Sequence, residues 1–334
     1  MGAQARVLRR RIKTVQSTKK ITKAMELIAA SRIVKAQQRV AAAAPYTTEI
    51  TKVLTALASN ASVEHPLLTP RQNVQRAGVL VITSDRGLAG AYNANVLRLA
   101  EQVIAGIVER GAEPVLFVVG RKGISYYRFR GRKLAASWSG FSEQPQYANA
   151  KAVSEALVPS FLVGSEGNHE HDEGFGAESA EAPMTAADLA AELERTTDAV
   201  QGVDELHIVY TKFRNMLSQD PTTRQLAPVE LPDAGLDTGD ELRAAYEFEP
   251  AAPELLKTLL PDYVTAVVQS AMLEAAASES AARRRAMKAA SDNAQDLIRS
   301  LTREANQARQ ADITQEISEI VGGADALAAT GSDE

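Results

Sequence analysis

From Met272 to Val321 the chain contains neither proline nor glycine. Alanine, the best helix former, recurs throughout this stretch, and Leu, Met, Gln, Arg and Glu fill most of the rest. Residues 272–326 therefore predict one long helix. Its pattern reaches back to about Thr258, with Pro261 suited to a first turn or a kink. At about 1.5 Å per residue such a helix makes a rod of roughly 95 Å, far longer than a small domain is wide. A rod of that length, rich in small residues, needs a partner along its side.

The other end of the chain supplies one. Residues 2–59 predict a second long helix of roughly 85 Å, interrupted by a single proline, Pro45. Leu8, Ile12, Val15, Met25, Ile28, Ala29, Ala36, Val40 and Ala43 recur at three- and four-residue steps, a drifting apolar stripe of the kind used in helix packing. Residues 41–44 are all alanine and allow close backbone approach. Nothing in residues 2–60 can build a globular core alone, so the two terminal helices are expected to pair antiparallel around a globular middle. Either helix could instead be a solvated rod laced by charge pairs.

Composition narrows the function classes. The chain is ordinary in hydrophobic content, at 45 %, and has no apolar run long enough to span a membrane. Its basic start, MGAQARVLRRRIK, lacks the apolar centre of a signal peptide. There is no cysteine, which removes disulfides, thiolate catalysis and cysteine metal sites, and a reducing cytoplasm fits. The net charge of −5 conceals an asymmetry: residues 1–60 carry twelve Lys or Arg against Glu26 and Glu49. That imbalance points to an acidic protein surface, a nucleic acid or an anionic membrane. Nucleic acid is disfavoured because no aromatic residue precedes Tyr46.

The middle reads as alternating strands and helices. Residues 77–83 (AGVLVIT) and 114–120 (PVLFVVG) are continuous apolar runs, the pattern of strands buried on both faces. Helices are expected at 92–110, 122–129, 148–162 and 185–200, and further strands at 133–138, 205–213 and 224–231. The outcome is an open α/β sheet with crossover helices. Residues 65–71 form a linker. Residues 165–183 carry six carboxylates and no Lys or Arg, which predicts an exposed acidic loop. Residues 231–240 form a second loose segment, and 246–250 lead back to the C-terminal helix.

Chemistry is sparse. The turn from Ser84 to Gly90 follows a buried strand, where α/β proteins hold phosphates, but its glycines fit neither phosphate-binding spacing, and a structural turn is the better reading. His169, His171, Asp172 and Glu173 could hold a metal, although an H-x-H in a polar loop is more often simply solvated. His65 and His207 stand apart, His207 reading as a structural residue, and no Ser-His-Asp arrangement emerges. No cofactor is expected. Arg283, Arg284, Arg285 and Lys288 form a second basic cluster, either a charged coiled-coil flank or a dock for acidic groups.

Five separated motifs then coincide with one family. Residues 18–25 (TKKITKAM) with 28–31 (IAAS), and 84–88 (SDRGL) with Gly90 and Asn93, resemble the gamma subunit of F-type ATP synthases. So do Lys212, Phe213, Asn215, Gln219 and Pro221; residues 278–294 around Ser278, Glu279 and Arg283; and Ile313, Thr314, Gln315, Glu316 and Glu319 followed by residues 323–326 (GADA). The resemblance runs from end to end. It implies a long antiparallel coiled coil of the N- and C-terminal helices plus a Rossmann-like open α/β domain. The expected parts are residues 1–60, 75–232 and 255–328, with 165–183 as an acidic insertion of actinobacterial kind. It further implies a non-catalytic central rotor at the cytoplasmic face of a bacterial plasma membrane. The partners are the alpha and beta subunits of the hexamer, the epsilon subunit and the ring of c subunits, with no transmembrane segment and no nucleic acid. A non-rotary coiled-coil scaffold with an α/β head would explain the rods but not the motifs.

Residue roles follow from the same resemblance. Lys23, Met25, Arg283, Arg284, Arg285, Arg309, Gln310 and Thr314 match positions that meet beta subunits. Ile317, Ile320, Val321, Ala324 and Leu327 match the tip that turns in an apolar bearing. Tyr246, Phe248 and Glu249 match the foot, next to epsilon and the ring. Position 89 is Ala where many members of the family carry Cys.

Overall fold

The computed structural model describes residues 3–60, 65–164, 202–230 and 252–330. Two helices dominate it: α1, Ala3–Asn60, and a C-terminal helix of 79 residues, Ala252–Thr330, that we label α5. Between them run β1 (Arg76–Ile82), α2 (Tyr92–Glu109), β2 (Glu113–Val119), α3 (Arg121–Phe129), β3 (Ala136–Trp138), α4 (Tyr147–Val163), β4 (Glu205–Phe213) and β5 (Gln219–Ala227). The five strands form one sheet in the order β3-β2-β1-β4-β5. The first four are parallel, and β5 turns back antiparallel on β4.

The apolar runs become central strands because both sheet faces are covered. Side chains alternate along a strand, so Leu80 and Ile82 enter one core while Val79 and Val81 enter the other. On the first face lie Val153, Leu157 and Phe161 of α4, Leu54 and Leu57 of α1, and Leu256, Val264 and Val268 of α5. On the second lie Val96, Ala100, Ile104 and Ile107 of α2, with Tyr127 of α3. Each such large side chain contributes about 1.5–3 kcal/mol on leaving water, and together they fix the sheet between its helical layers.

The chain divides into two compact units, residues 31–282 and residues 1–30 with 283–334. Sequence and structure differ at several places, among them β3, which begins at Ala136 rather than at 133. The last strand spans Gln219–Ala227 rather than 224–231, because its polar, half-exposed residues are held at the sheet edge by pairing with β4. That pairing also ends the expected strand-helix alternation in a hairpin. Helix α5 starts at Ala252, not near Thr258, and passes through Pro261. The expected loops at 165–183, 231–240 and 246–250, and the helix at 185–200, lie outside the described residues.

Candidate functional site

Within the unit made of residues 1–30 and 283–334, the two helices meet along a seam that mixes polar, small and large apolar residues. The Lys19 ammonium donates to Gln295 Oε1, and the Thr22 and Ser291 hydroxyls stand 2.7 Å apart. As the α1 number rises the α5 number falls, so the helices run antiparallel. On α1 the inward positions are Leu8, Ile12, Val15, Lys19, Thr22, Glu26 and Ala29, all buried or half-buried at alternating steps of four and three. On α5 they are Met287, Ser291, Ala294, Ile298, Leu301, Ala305, Ala308 and Asp312. That period of 3.5 is the coiled-coil seam. Small side chains at 291, 294, 305 and 308 let the backbones approach.

The seam keeps Leu8, Ile12, Val15 and Ala29 of the expected apolar stripe and departs from it elsewhere. Ile28 is exposed and Met25 only half-buried, while Thr22 and Glu26 point inward. Glu26 is buried, and Lys23 from the preceding turn pairs with it at 3.0 Å. Apolar side chains instead face outward: Val7, Ile21, Leu27 and Ile28 on α1, and Leu297, Ile313, Ile317, Ile320 and Val321 on α5. Ile320 is the most open of these at 72 %. In this unit the outside is greasier than sequence periodicity implied, and the inside more polar.

The expected contact residues spread over that surface. Lys23 is exposed at the side of the seam. Arg283, Arg284 and Arg285 do not share one face of the helix. Successive helical residues are turned by about 100°, so Arg283 is buried, 6 % exposed, while Arg284 is half-buried and Arg285 exposed. Arg309, Gln310 and Thr314 are exposed, and the Thr314 hydroxyl donates to the Gln310 carbonyl at 2.9 Å. The antiparallel register brings the start of α1 opposite the neighbourhood of Asp312. Beyond it every described side chain from Ile313 to Gly322 is exposed, including Ile317, Ile320 and Val321. The side chains of Ala324 and Leu327, and Tyr246, Phe248 and Glu249, lie outside the described residues.

In the other unit, the turn after β1 is satisfied from within. The Ser84 amide donates to Asn93 Oδ1 at 3.0 Å, and the Ser84 hydroxyl donates to the Arg86 carbonyl at 2.7 Å. Asp85 accepts three backbone amides, from Arg121, Gly140 and Ser142. The turn is thus a structural hub. His207 sits 3.1 Å from Glu205, which Arg110 also reaches, a structural polar cluster at one end of β4. His169 and His171 lie outside the described residues. Among the described residues no group of His, Asp and Glu could hold a metal ion, and no helix is long and apolar enough to cross a membrane.

Comparison with known proteins gives these surfaces a context. A family model described as ATP synthase matches residues 4–327. The chain is 53 % identical over 333 residues, the whole of both chains, to the ATP synthase gamma chain of Salinispora tropica. It is 52 % identical over 331 residues to that of Saccharopolyspora erythraea, covering 99 % of this chain and 100 % of the other. Among solved structures it resembles in fold a chain of the Euglena gracilis mitochondrial ATP synthase, with TM-score 0.61 and 18 % identity over 100 % of this chain and 97 % of that one. A chain of the Tetrahymena thermophila mitochondrial ATP synthase central stalk and c-ring gives TM-score 0.51 at 19 % identity, over 81 % and 99 %.

Proposed function

The chain belongs to the ATP synthase gamma-chain family, and from that premise we propose how it works as the central-stalk rotor subunit of an F-type ATP synthase. One observation carries the mechanism. The paired helices turn Lys19, Thr22, Glu26 and Ser291 toward each other and keep Ile21, Leu27, Ile28, Ile313, Ile317 and Ile320 for the outside. A monomer gains nothing from that arrangement, because exposed apolar surface of this extent marks a contact with another protein. A shaft enclosed by a hexamer of alpha and beta subunits is the contact that fits a rod-like helix pair.

Energetics calls for a stiff transmitter. One elementary charge crossing 100 mV releases only about 2.3 kcal/mol, so several crossings must be pooled for each ATP. Ring rotation driven by protons is summed in the shaft and delivered to each beta site in turn. Lys23, Met25 and Arg285 meet an acidic loop of beta, where the guanidinium forks a carboxylate. Arg284 stands beside this contact, and Arg283 backs it from within. Arg309, Gln310 and Thr314 meet beta higher on the shaft. Ile317, Ile320 and Val321, with Ala324 and Leu327, form the bearing tip, where apolar surfaces without directional hydrogen bonds slide. Tyr246, Phe248 and Glu249 serve the foot at epsilon and the c-ring. The complex holds the chain peripherally at the cytoplasmic face of the bacterial plasma membrane.

The tests are assembly and coupling. Affinity-tagged chain should bring down alpha, beta and epsilon subunits together; recovery without them favours a scaffold. Met25→Lys adds a charge at the beta contact and should lower protons pumped per ATP in reconstituted vesicles. An unchanged ratio removes Met25 from that contact.

A further inference from the structure

A cavity of about 530 Å³ opens beside the turn between β1 and α2, within the size range of small-ligand sites. Guanidinium groups reach it from three separate elements: Arg32 on α1, Arg86 in the turn, and Arg121 at the start of α3. A fourth cation stands against the same turn, since a Cβ built on Gly87 would lie 3.9 Å from the Lys122 ammonium. Two carboxylates line the cavity, and both are committed. Asp85 accepts the amides of Arg121 at 3.1 Å, Gly140 at 2.8 Å and Ser142 at 2.9 Å, while its own amide donates to the Ser142 hydroxyl. Glu143 pairs with Arg32 and stands 3.7 Å from Arg86.

These carboxylates organise the cavity and leave its lining, with three guanidinium groups against two carboxylates, net positive. Asp85 ties the start of α3 to the loop after β3, which fixes where Arg121 emerges. Glu143 holds Arg32 by one edge of its guanidinium, and Arg121 reaches Asp85 only at 3.9 Å through Nε. A guanidinium carries five N–H donors, so donors on Arg32 and Arg121 remain for a ligand. A planar carboxylate engages one fork, or two at most. The oxygens of a phosphoryl group point in several directions and can take forks arriving from three elements.

We propose that this cavity binds a small multivalent phosphoryl anion, of the diphosphate class, through Arg32, Arg86 and Arg121. The sequence has no glycine-rich phosphate loop, so recognition rests on side-chain charge and stops at the phosphoryl groups, without reading a base or a sugar. A bound anion ties α1 to the end of the sheet from which Asp85 and Arg121 project. The proposal does not rest on the rotor reading, and its failure would leave that reading untouched.

Calorimetric titration of the purified full chain with sodium pyrophosphate tests it. Saturable one-to-one binding is expected, weakening as salt rises. Arg121→Gln and Arg86→Gln should each weaken it about tenfold, the size of one lost charge-assisted contact. Both side chains are about two-thirds exposed, and unchanged circular-dichroism melting confirms that the variants fold. Lys151→Gln, an exposed charge change on α4 outside the cavity lining, should leave affinity unaltered. Absence of saturable heat overturns the proposal, as does equal affinity in Arg121→Gln or equal weakening in Lys151→Gln. Malonate binding as tightly as pyrophosphate overturns the phosphoryl assignment, and ATP binding more than tenfold tighter overturns it in favour of a nucleoside site.

Discussion

Thr22 and Ser291 bury two hydroxyls against each other, 2.7 Å apart, inside a seam that apolar residues could have filled. Removing one leaves the other without that partner, at a cost of about 1–3 kcal/mol, whereas removing both is nearly neutral. Thr22→Val should therefore lower the thermal midpoint of the chain, and Thr22→Val with Ser291→Ala should restore most of it. If the double variant is as unstable as the sum of the two single ones, the pair is not coupled. Glu274 of α5 makes the opposite case. Burial pushes its carboxyl above the usual range, although Lys212 and the Phe213 backbone pull the other way, and one of its oxygens has no hydrogen-bond partner. Burial, together with the Glu274 charge, pushes the Tyr210 phenol up to about 12. A carboxyl raised on folding favours the native state most at acid pH, and that contribution is lost as pH rises through the folded value. Glu274→Gln should thus stabilise the chain at pH 7–8 by about 1 kcal/mol, and the advantage should shrink as pH falls toward 4.5; melting curves across that range decide it. Neither residue could be read from sequence. Apolar periodicity chose Met25 and Ile28 for the inside, because it cannot tell a side chain that packs within the chain from one that packs on a partner. Lys19, Thr22 and Glu26 lie on the true 3.5-residue repeat, and only that spacing, read without regard to polarity, could have found them.

At the scale of elements, strength of pattern decided what was legible. The strands β1 and β2 are apolar on both faces and announce themselves, as do the long helices and the apolar centre of β4 at residues 208–210. Strand β5 was displaced because Gln219, Asp220 and Pro221 carry no strand signal; only the neighbouring ladder makes them part of one. Local preference is also overruled inside α1. Pro45 lies in an unbroken helix and is exposed, although proline removes a backbone donor and crowds the carbonyl one turn back, a cost of about 3 kcal/mol in a helix interior. The helix persists there because Ile50, Leu54 and Leu57, one to three turns on, are buried in the core of the α/β layer. Pro45→Ala should raise the thermal stability of the chain by about 1–3 kcal/mol. A fall in midpoint would mean that the proline sets a bend the packing requires. The opposite sign is expected at Gly120, where β2 passes into α3 with φ of 98°. A Cβ there would lie 2.3 Å from the Thr83 carbonyl oxygen. Gly120→Ala combines that clash with a backbone conformation L-residues avoid, and should cost several kcal/mol, seen as loss of soluble folded chain.

For the molecule as a whole, a rotor has one requirement that a tether or a hinge lacks: its two helices must turn together. Five motifs in order made the family legible at once, but they carry no information on whether the shaft must also flex within itself. The seam allows that question to be asked directly. Two side-chain oxygens 2.7 Å apart at Thr22 and Ser291 put their Cβ atoms near the separation a disulfide spans, about 3.5–4.5 Å. The chain has no cysteine of its own, so Thr22→Cys with Ser291→Cys introduces a single possible bridge within it. Oxidation then fastens α1 to α5 inside the shaft without adding a link to any other subunit. If torque passes through the pair as a unit, ATP-driven proton pumping by the reconstituted complex should stay within twofold of the reduced state. Substitution itself removes the hydroxyl pair, so the comparison that matters is oxidised against reduced protein of the same variant. A large loss on oxidation, reversed by a thiol reductant, would show that the helices must slide or part during the cycle, and would replace the stiff shaft with one that works by internal motion.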